Sequence, residues 1–388
     1  MCADALALVL QLRRVQLGAA AFVVPGERGL HQRGVDLPVG RAPRLVVEPQ
    51  RQNVHARGHV ERMDLHRLRV VRGGAALGHA FQNPDVRFIN INVAELDAHK
   101  HAALPLVGDA KVTLAELAQR VGDYHVSADY AAKVERWRAE WDRESERIFN
   151  LQNQPLISQG EVIGLVHAHA RPEDVVVCAA GSLPGDLHKL WRTRQPSTYH
   201  VEYGYSCMGY EIAAGLGVKL AAPEREVFVM VGDGSYLMMA QEIITAVQEG
   251  LKLIIVLLDN HGFASIGGLS ASLGSVGFGT RYRFRGLDGQ LSGEVLPVDL
   301  AANAASMGAH VIRANTRAEI EAALKEARSQ SRATVIAIET NREARVGSYE
   351  SSWDVPVAEV STLPEVRNAR AAWEEQRQKE RHFFQPRG

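Results

Sequence analysis

Two uninterrupted apolar runs, 227–231 and 253–258, dominate the hydrophobic pattern of this chain. Such runs are typical of strands that are buried on both faces of a parallel sheet. A segment with helical character, Ser235 to Gln248, lies between them, so the three elements predict two parallel strands joined by a crossover helix. Further strands are expected at 86–93, 174–181, near 311 and at 334–339, with helices at 112–121, 157–170, 298–307 and 317–328. The pattern predicts an α/β fold with a parallel, doubly wound sheet.

Polar residues stand where the two apolar runs end. The first run continues into the GDG sequence at 232–234, and the second ends at Asp259 and Asn260. Ligands of open α/β sheets bind at the carboxyl ends of the strands. Mg²⁺ takes hard oxygen ligands and shares them with phosphate and water. The carboxylate of Asp233, the amide oxygen of Asn260 and the carbonyl of Gly262 therefore predict a site for a divalent metal that carries a diphosphate.

Glycines and helix starts complete this predicted site. Gly232 and Gly234 let the backbone approach the phosphates, and the helix expected to begin near Ser235 presents N–H groups and its positive dipole end to an anion. Gly181 ends the strand at 174–181 and Ser182 follows it, in a second strand–turn–helix arrangement of this kind. The alternatives are an ordinary turn for the GDG sequence and an ordinary helix cap for Ser182.

The segment GDGSYLMMAQEIITAVQEGLKLIIVLLDN resembles the diphosphate-binding signature of thiamine-diphosphate enzymes, which opens with GDG and closes with Asn. The resemblance implies that Asp233 and Asn260 are side-chain ligands of Mg²⁺ and that Gly262 lends its carbonyl. It implies that Gly181 and Ser182 begin the cofactor region. Met208 matches the position of a bulky apolar side chain that keeps the cofactor bent; the alternative is an ordinary core methionine.

Four stretches between Phe81 and Val360, among them YHVEYGYSCMGYEIAAGLGVKLA and NHGFASIGGLSASLG, look like the trihydroxycyclohexane-1,2-dione hydrolases of inositol degradation. That resemblance implies thiamine diphosphate and Mg²⁺ as cofactors and a cyclic, polyol-derived dione as the small-molecule substrate. Hydrolytic cleavage between the two carbonyl carbons would release 5-deoxy-glucuronate. Assembly as a homodimer or tetramer is expected on the same basis.

Relatives of this kind also carry a pyrimidine-binding domain, whose glutamate hydrogen-bonds the aminopyrimidine ring of the cofactor. No segment of this sequence resembles that domain, and no catalytic side chain is assigned. Three functions therefore stay open: a dione hydrolase that is impaired without this domain, a carboligase of the acetolactate-synthase type, and a non-catalytic subunit that needs a separate pyrimidine-domain chain.

Composition divides the chain into segments of different character. We expect 81–122 to be the C-terminal half of a Rossmann-like central domain, 123–150 a linking helix whose Trp137 and Trp141 pack on a neighbouring domain, 151–360 the domain that binds diphosphate and Mg²⁺, and 361–388 a charged helical tail. The glycine- and serine-rich segment 261–279 is expected to be a mobile loop over the site, with a plain solvated loop as the alternative. Tyr199, His200 and Glu202 are candidates for contact with substrate.

Residues 1–80 stay unassigned. They contain no Lys, Ile, Ser, Thr, Tyr or Trp but twelve Arg and five His. Twelve Arg against six acidic residues give this segment a charge of +6, which leaves −7 for the rest of a chain whose net charge is −1. We interpret this amino-acid composition as that of GC-rich DNA translated in a wrong frame or from the wrong strand. A genuine domain and a basic nucleic-acid-binding arm are the alternatives.

The balanced overall charge gives no indication of nucleic acid as a partner. No apolar run approaches the roughly 20 residues that a membrane span needs, so no membrane association is expected. Cys2, Cys178 and Cys207 have no metal-type spacing and suggest no disulfide framework. This usage is typical of a reducing compartment, so a cytoplasmic location is expected.

Overall fold

The structure, a computed structural model, describes residues 68–71, 87–202, 204–347 and 355–378, with the backbone alone for 68–71. Apart from 68–71, the interpretation of 1–80 lies outside the described residues, as do 348–354 and the end of the charged tail. None of the helices in the described ranges is both long and apolar enough to cross a membrane.

A three-stranded parallel sheet comes first along the chain. Its strands are β1 (Leu68–Val71), β2 (Arg87–Asn92) and β3 (Leu104–Val107), in that order across the sheet, with α1 (Glu95–Ala98) and α2 (Ala110–Val121) following β2 and β3. The predicted strand at 86–93 and helix at 112–121 are confirmed. Because β1 pairs with β2, this sheet extends to the N-terminal side of the boundary expected at residue 81.

The charged segment that follows is one helix, α3 (Ala128–Phe149), whose first turn is capped by the Ser127 side chain. Trp141 donates its indole N–H to the Lys189 carbonyl at 3.0 Å and packs against the core of the larger sheet. Trp137 is half exposed, with the Lys133 ammonium 4.6 Å from the centre of its ring. The expected packing of the tryptophans therefore holds for Trp141 and is wrong for Trp137.

A six-stranded, fully parallel sheet forms the main body. Its strands are β4 (Val175–Cys178), β5 (Tyr199–Val201), β6 (Val227–Gly232), β7 (Ile254–Asp259), β8 (His310–Arg313) and β9 (Thr334–Glu339), in the order β5-β4-β6-β7-β9-β8. The connecting helices are α4 (Gln159–His169), α5 (Ser182–Leu190), α6 (Tyr210–Ala221), α7 (Asp233–Met238), α8 (Glu242–Gln248), α9 (Ala264–Ser272), α10 (Leu300–Ser306) and α11 (Arg317–Ser329), and α12 (Pro364–Arg377) follows.

Apolar residues alternate along each central strand between two separate cores. In β6, Phe228 and Met230 face a core that α4, α5 and α11 share, whereas Val229 and Val231 face one that α6, α8 and α10 share. Strands buried on both faces need continuous apolar runs, which explains the pattern in the sequence. The predicted doubly wound α/β fold is confirmed.

Strand order reverses between β4 and β6. The chain passes from β4 outward to β5 and then returns to place β6 on the other side of β4. The connections on either side of this point leave the sheet in opposite directions, which opens a crevice at the carboxyl ends of the strands.

Two expected elements differ in the structure. The helix expected at 235–248 begins at Asp233 and is broken after Met238 into α7 and α8. The break lies where the turn at Gly209 approaches, since a Cβ on Gly209 would come within 3.0 Å of Met239 Cβ. Part of the loop expected at 261–279 is the helix α9, against which the Arg342 and Arg345 guanidinium groups pack at Gly267 and Gly268.

Close packing of α6 on β6 yields a first testable prediction. A Cβ on Gly215 would overlap the Val229 side chain, whereas one on Gly217, in the same helix, would meet nothing within 4 Å. We expect Gly215→Ala to lower the free energy of unfolding by about 1–3 kcal/mol. Gly217→Ala should raise it by up to about 1 kcal/mol through helix propensity. Urea denaturation of both variants checks this, and equal effects would contradict the packing.

Candidate functional site

A cleft opens where strand order reverses, at the carboxyl ends of β4, β6 and β7. Nine of its lining residues are those that the sequence indicated: Gly181, Ser182, Met208, Gly232, Asp233, Gly234, Ser235, Asn260 and Gly262. They come from four separate stretches of the chain that the sheet topology brings together. The remaining wall is formed by Gln159, Ala180, Leu183 and Phe263 to Ile266.

Asp233 is the buried acid at the centre of this cleft, with only 1% of its surface exposed. One carboxylate oxygen accepts the N–H groups of Gly262 at 2.7 Å and Asn260 at 3.3 Å, and the other accepts the Gly234 N–H at 2.9 Å. Burial and the adjacent Asp259 carboxyl together raise the pKa of Asp233 to about 7. The hydrogen bonds from Gly262 and Gly234 act in the opposite direction. A cation beside this carboxylate would stabilise its charged form.

A chain of acidic and imidazole groups continues from Asp233 along the strand ends. Asp259 accepts the backbone N–H of His261 at 2.9 Å, and the ring Nε2 of His261 lies 2.8 Å from Glu339 Oε1. Burial lowers the pKa of His261, but the hydrogen bond with Glu339 and the nearby carboxylates outweigh it, so the pKa lies above its ordinary value. His261 also has a left-handed backbone conformation, with φ of 57°. Strained residues of this kind concentrate at functional sites.

Asn260 and Gly262 approach Asp233 from the end of β7. The Asn260 side-chain oxygen is 3.5 Å from the Arg342 guanidinium, which also donates to the Phe263 carbonyl at 3.3 Å. Gly262 has φ of 150°, and a Cβ there would overlap the Thr280 carbonyl oxygen, so only glycine fits. The contact observed for Gly262 is through its N–H; the metal-binding role expected for its carbonyl stays a prediction.

The glycines of the cleft differ in what surrounds them: some border free space and one is packed against side chains. A Cβ on Gly181 or Gly232 would meet nothing within 4 Å, so the backbone at both residues borders free space. A Cβ on Gly234 would lie 2.8 Å from the Phe263 ring and 3.3 Å from Met208 Cε. The Met208 side chain therefore lies directly against the GDG turn.

Ser182 is not the cap of its helix. The N-cap of α5 is Gly181, with φ of 101°, and no side chain caps this end. The Ser182 hydroxyl instead donates to Gln159 Oε1 at 3.4 Å, across the cleft wall from α4. The alternative interpretation of Ser182 as an ordinary helix cap is therefore wrong.

The three substrate-contact candidates Tyr199, His200 and Glu202 do not line this cleft. His200 pairs with the Tyr210 hydroxyl at 2.8 Å, and the Tyr199 hydroxyl lies 3.6 Å from the Cys178 sulfur. Glu202 accepts the N–H groups of Tyr205 and Cys207. Their contacts in the described structure are with the turn that leads to Met208 and with the neighbouring strand.

Other residues of the site gave little or no signal in the sequence. Gln159 and Phe263 reach the cleft from α4 and from the residue before α9, and no pattern marks them. Glu211 was detectable, because it is an acid in the otherwise apolar opening of α6. In the described parts of the chain no group of three or more His, Cys, Asp and Glu side chains could hold a metal ion. A site built on Asp233 would therefore draw on amide, carbonyl, phosphate and water oxygens.

Comparison with known families decides what kind of domain surrounds the cleft. Residues 179–338 match the model described as thiamine pyrophosphate enzyme, C-terminal TPP binding domain. The match begins directly after β4 and ends within β9, so it contains β6, β7 and all nine predicted residues. These residues are therefore similar to the thiamine pyrophosphate-binding domain of that family. Its cofactor, thiamine pyrophosphate, is the thiamine diphosphate expected from the sequence.

Relatives of this domain include two bacterial hydrolases. The chain is 37% identical over 314 residues to the 3D-(3,5/4)-trihydroxycyclohexane-1,2-dione hydrolase of Clostridium tetani. It is 38% identical over 314 residues to 3D-(3,5/4)-trihydroxycyclohexane-1,2-dione hydrolase 2 of Bacillus cereus. Each match covers 74% of this chain and 49% of the relative. The chain thus spans about half the length of these relatives, and the resemblance noted in the sequence is confirmed.

A solved structure supports the fold of the thiamine pyrophosphate-binding domain. The thiamine diphosphate-dependent 4-hydroxybenzoylformate decarboxylase of Rhodococcus jostii RHA1 superposes with a TM-score of 0.51 at 19% identity. The superposition covers 66% of this chain and 44% of that one. At this level of identity the likeness concerns the fold alone.

Substitutions at two glycines of the cleft distinguish an effect on ligand binding from an effect on protein packing. We expect Gly232→Ala to change the free energy of unfolding by less than about 0.5 kcal/mol, because its Cβ would enter free space. It should nevertheless weaken thiamine diphosphate binding by about tenfold, equivalent to about 1.4 kcal/mol. Gly234→Ala should reduce both stability and affinity, since its Cβ meets Phe263 and Met208. Thermal melts with calorimetric titration check this; unchanged affinity in Gly232→Ala would place the ligand elsewhere.

Proposed function

We propose that this chain binds thiamine diphosphate and Mg²⁺ in the cleft at the ends of β4, β6 and β7. We propose further that it supplies this half of the site to an enzyme that cleaves a cyclic 1,2-dione hydrolytically. The observation that carries the proposal is the convergence of nine residues, selected from sequence, in one cleft of a thiamine pyrophosphate-binding domain.

The backbone around the cleft fits a diphosphate. Free space beside Gly181 and Gly232 lets phosphate oxygens approach the main chain without meeting a side chain. The turns that follow β4 and β6 face each other across the reversal of strand order, where anionic ligands of such sheets bind. In this arrangement Ser182 and Ser235 border the same space and add polar groups to the cradle.

The strand ends fit a divalent cation. Asp233 is buried beside the Asp259 carboxyl group, and both its burial and this neighbour raise the pKa of Asp233, so a cation here would favour its charged form. Mg²⁺ would take the Asp233 carboxylate, the Asn260 amide oxygen and the Gly262 carbonyl, with phosphate and water oxygens as its other ligands. Asn260 would exchange its long contact with Arg342 for this role.

Each part of the cleft then has a task in the reaction. Thiamine diphosphate, when bound, supplies the carbon nucleophile that attacks a substrate carbonyl. The Met208 side chain, held against Gly234, would support the cofactor in its bent form. Phe263 and Ile266 give the wall an apolar surface that limits access of water to the reacting atoms. The protein residues named here bind and orient; none is assigned to proton transfer.

The substrate follows from the dione hydrolases to which the chain is similar. We propose that it is a trihydroxycyclohexane-1,2-dione, that the product is 5-deoxy-glucuronate, and that the reaction belongs to myo-inositol catabolism. The thiols support a cytoplasmic setting, because Cys178 and Cys207 are both free.

An apolar rim around the cleft supports a covering partner. Leu237, Met238 and Met239 after the GDG turn, and Ile266 in the cleft wall, are each around half exposed. Contiguous exposed apolar side chains of this size mark interaction surfaces. We propose that a pyrimidine-binding domain covers this rim, contributed by a second copy in a homodimer or tetramer or by a separate chain.

Loss of the two side-chain ligands tests the metal site. We expect Asp233→Ala and Asn260→Ala each to weaken Mg²⁺-dependent binding of thiamine diphosphate by more than about 100-fold. Isothermal titration at fixed Mg²⁺ measures the effect, with Glu116→Ala on the exposed face of α2 as the control acid. If the double variant still bound metal and cofactor as the unsubstituted chain does, the proposed site would be wrong.

Product analysis tests the reaction. The chain should form 5-deoxy-glucuronate from the cyclic dione, with activity appearing or rising when a pyrimidine-binding domain is added. Formation of acetolactate from pyruvate would instead favour a carboligase. Activity only after addition of a second chain would identify this chain as a subunit of a two-chain enzyme.

A further inference from the structure

Glu211 is a buried carboxylate that lies outside the proposed metal site. It is in the first turn of α6 and only 1% of its surface is exposed. Burying a charged group is unfavourable unless hydrogen bonds replace water. Burial raises the pKa of Glu211, whereas the hydrogen bonds that it accepts lower it. An acid retained in such a position needs specific partners.

Its partners come from three turns of the chain. Glu211 Oε1 accepts the Ala180 N–H at 3.3 Å, and Oε2 accepts the Gly209 N–H at 3.1 Å. Ser235 also lies beside this carboxylate, and its hydroxyl lowers the pKa of Glu211. One side chain thereby connects the end of β4, the entry to α6 and the turn after β6.

Each of these contacts adjoins the cleft. Ala180 precedes Gly181, Gly209 follows Met208, and Ser235 belongs to the lining itself. Gly181 and Gly232, the two glycines of the cleft that border free space, lie one residue after Ala180 and three residues before Ser235.

We propose that Glu211 is a positioning residue for the diphosphate of the cofactor. It sets the distance between the turns at Gly181, Met208 and Ser235, and it does so without touching the ligand. This inference rests on the proposed function, because it assigns a role in binding thiamine diphosphate at that cleft. A purely structural role would affect stability and leave affinity unchanged.

The test separates affinity from stability with matched variants. Glu211→Gln has the same shape but places an NH₂ group against an N–H donor, so at least one turn loses its acceptor. Ile212→Val, at the next position of α6, trims a side chain of the buried core and leaves the Glu211 carboxylate in place. For the 388-residue chain and both variants, calorimetry measures the dissociation constant of thiamine diphosphate at saturating Mg²⁺. Thermal melts measure stability, and deuterium exchange of the ligand-free chains is followed in peptides covering 178–183, 206–210 and 232–236.

We expect Glu211→Gln to raise the dissociation constant by about 10- to 100-fold, as loss of a supporting group around a binding site does. All three peptides should exchange faster. Ile212→Val should lower the melting temperature and bind like the unsubstituted chain.

Unchanged affinity in Glu211→Gln, or an equal loss of affinity in both variants, would overturn the inference and leave the proposed function intact. If the unsubstituted chain did not bind thiamine diphosphate, the proposed function would fail. Faster exchange in all three peptides would then uphold the connection that Glu211 makes, and unchanged exchange would overturn it as well.

Discussion

The hydrogen bonds of Asp233 determine how the ends of β6 and β7 are arranged. Its carboxylate accepts N–H groups from Asn260 and Gly262, which come 27 and 29 residues later in the chain. The contact depends on the neighbouring parallel registers of β6 and β7 and on the absence of a side chain at Gly262. Burial beside Asp259 makes this acid unfavourable in its charged form, and a bound cation would relieve that cost. The fold thus holds Asp233 in a position where its charged form destabilises the protein alone but would favour binding of a cation.

Two kinds of buried acid divide the work around the cleft. Asp233 lines the cleft proposed for the metal and the diphosphate, with the Asp259 carboxyl beside it. Glu211 does not line that cleft, and its carboxylate accepts the backbone N–H groups of Ala180 and Gly209. In the proposed site, Asp233 would provide charge for a ligand, and Glu211 would hold the backbone that receives it. Glycines at 181 and 232 leave the room that these turns enclose.

Much of this arrangement could be predicted because apolar runs and strand ends are local signals. Continuous burial of β6 and β7 produced the runs, and parallel topology brings the turns after these strands to one edge of the sheet. The break between α7 and α8 could not be predicted, because it lies where Gly209 approaches from an earlier segment of the chain. Gln159 lines the cleft because α4 packs beside it, and no local sequence pattern predicts that packing. Composition suggested a loop at 261–279, but packing of Arg342 and Arg345 accompanies a helix there.

A crystal structure of the chain with thiamine diphosphate and Mn²⁺ in place of Mg²⁺ tests the proposed site most directly, because anomalous scattering locates the metal without assumptions. We expect one Mn²⁺ peak within about 2.0–2.5 Å of oxygens from Asp233 and Asn260 and from the diphosphate. The diphosphate should lie beside Gly181 and Gly232. A metal or diphosphate bound elsewhere, such as the larger cleft beside Trp141 and Arg317, would contradict the proposal.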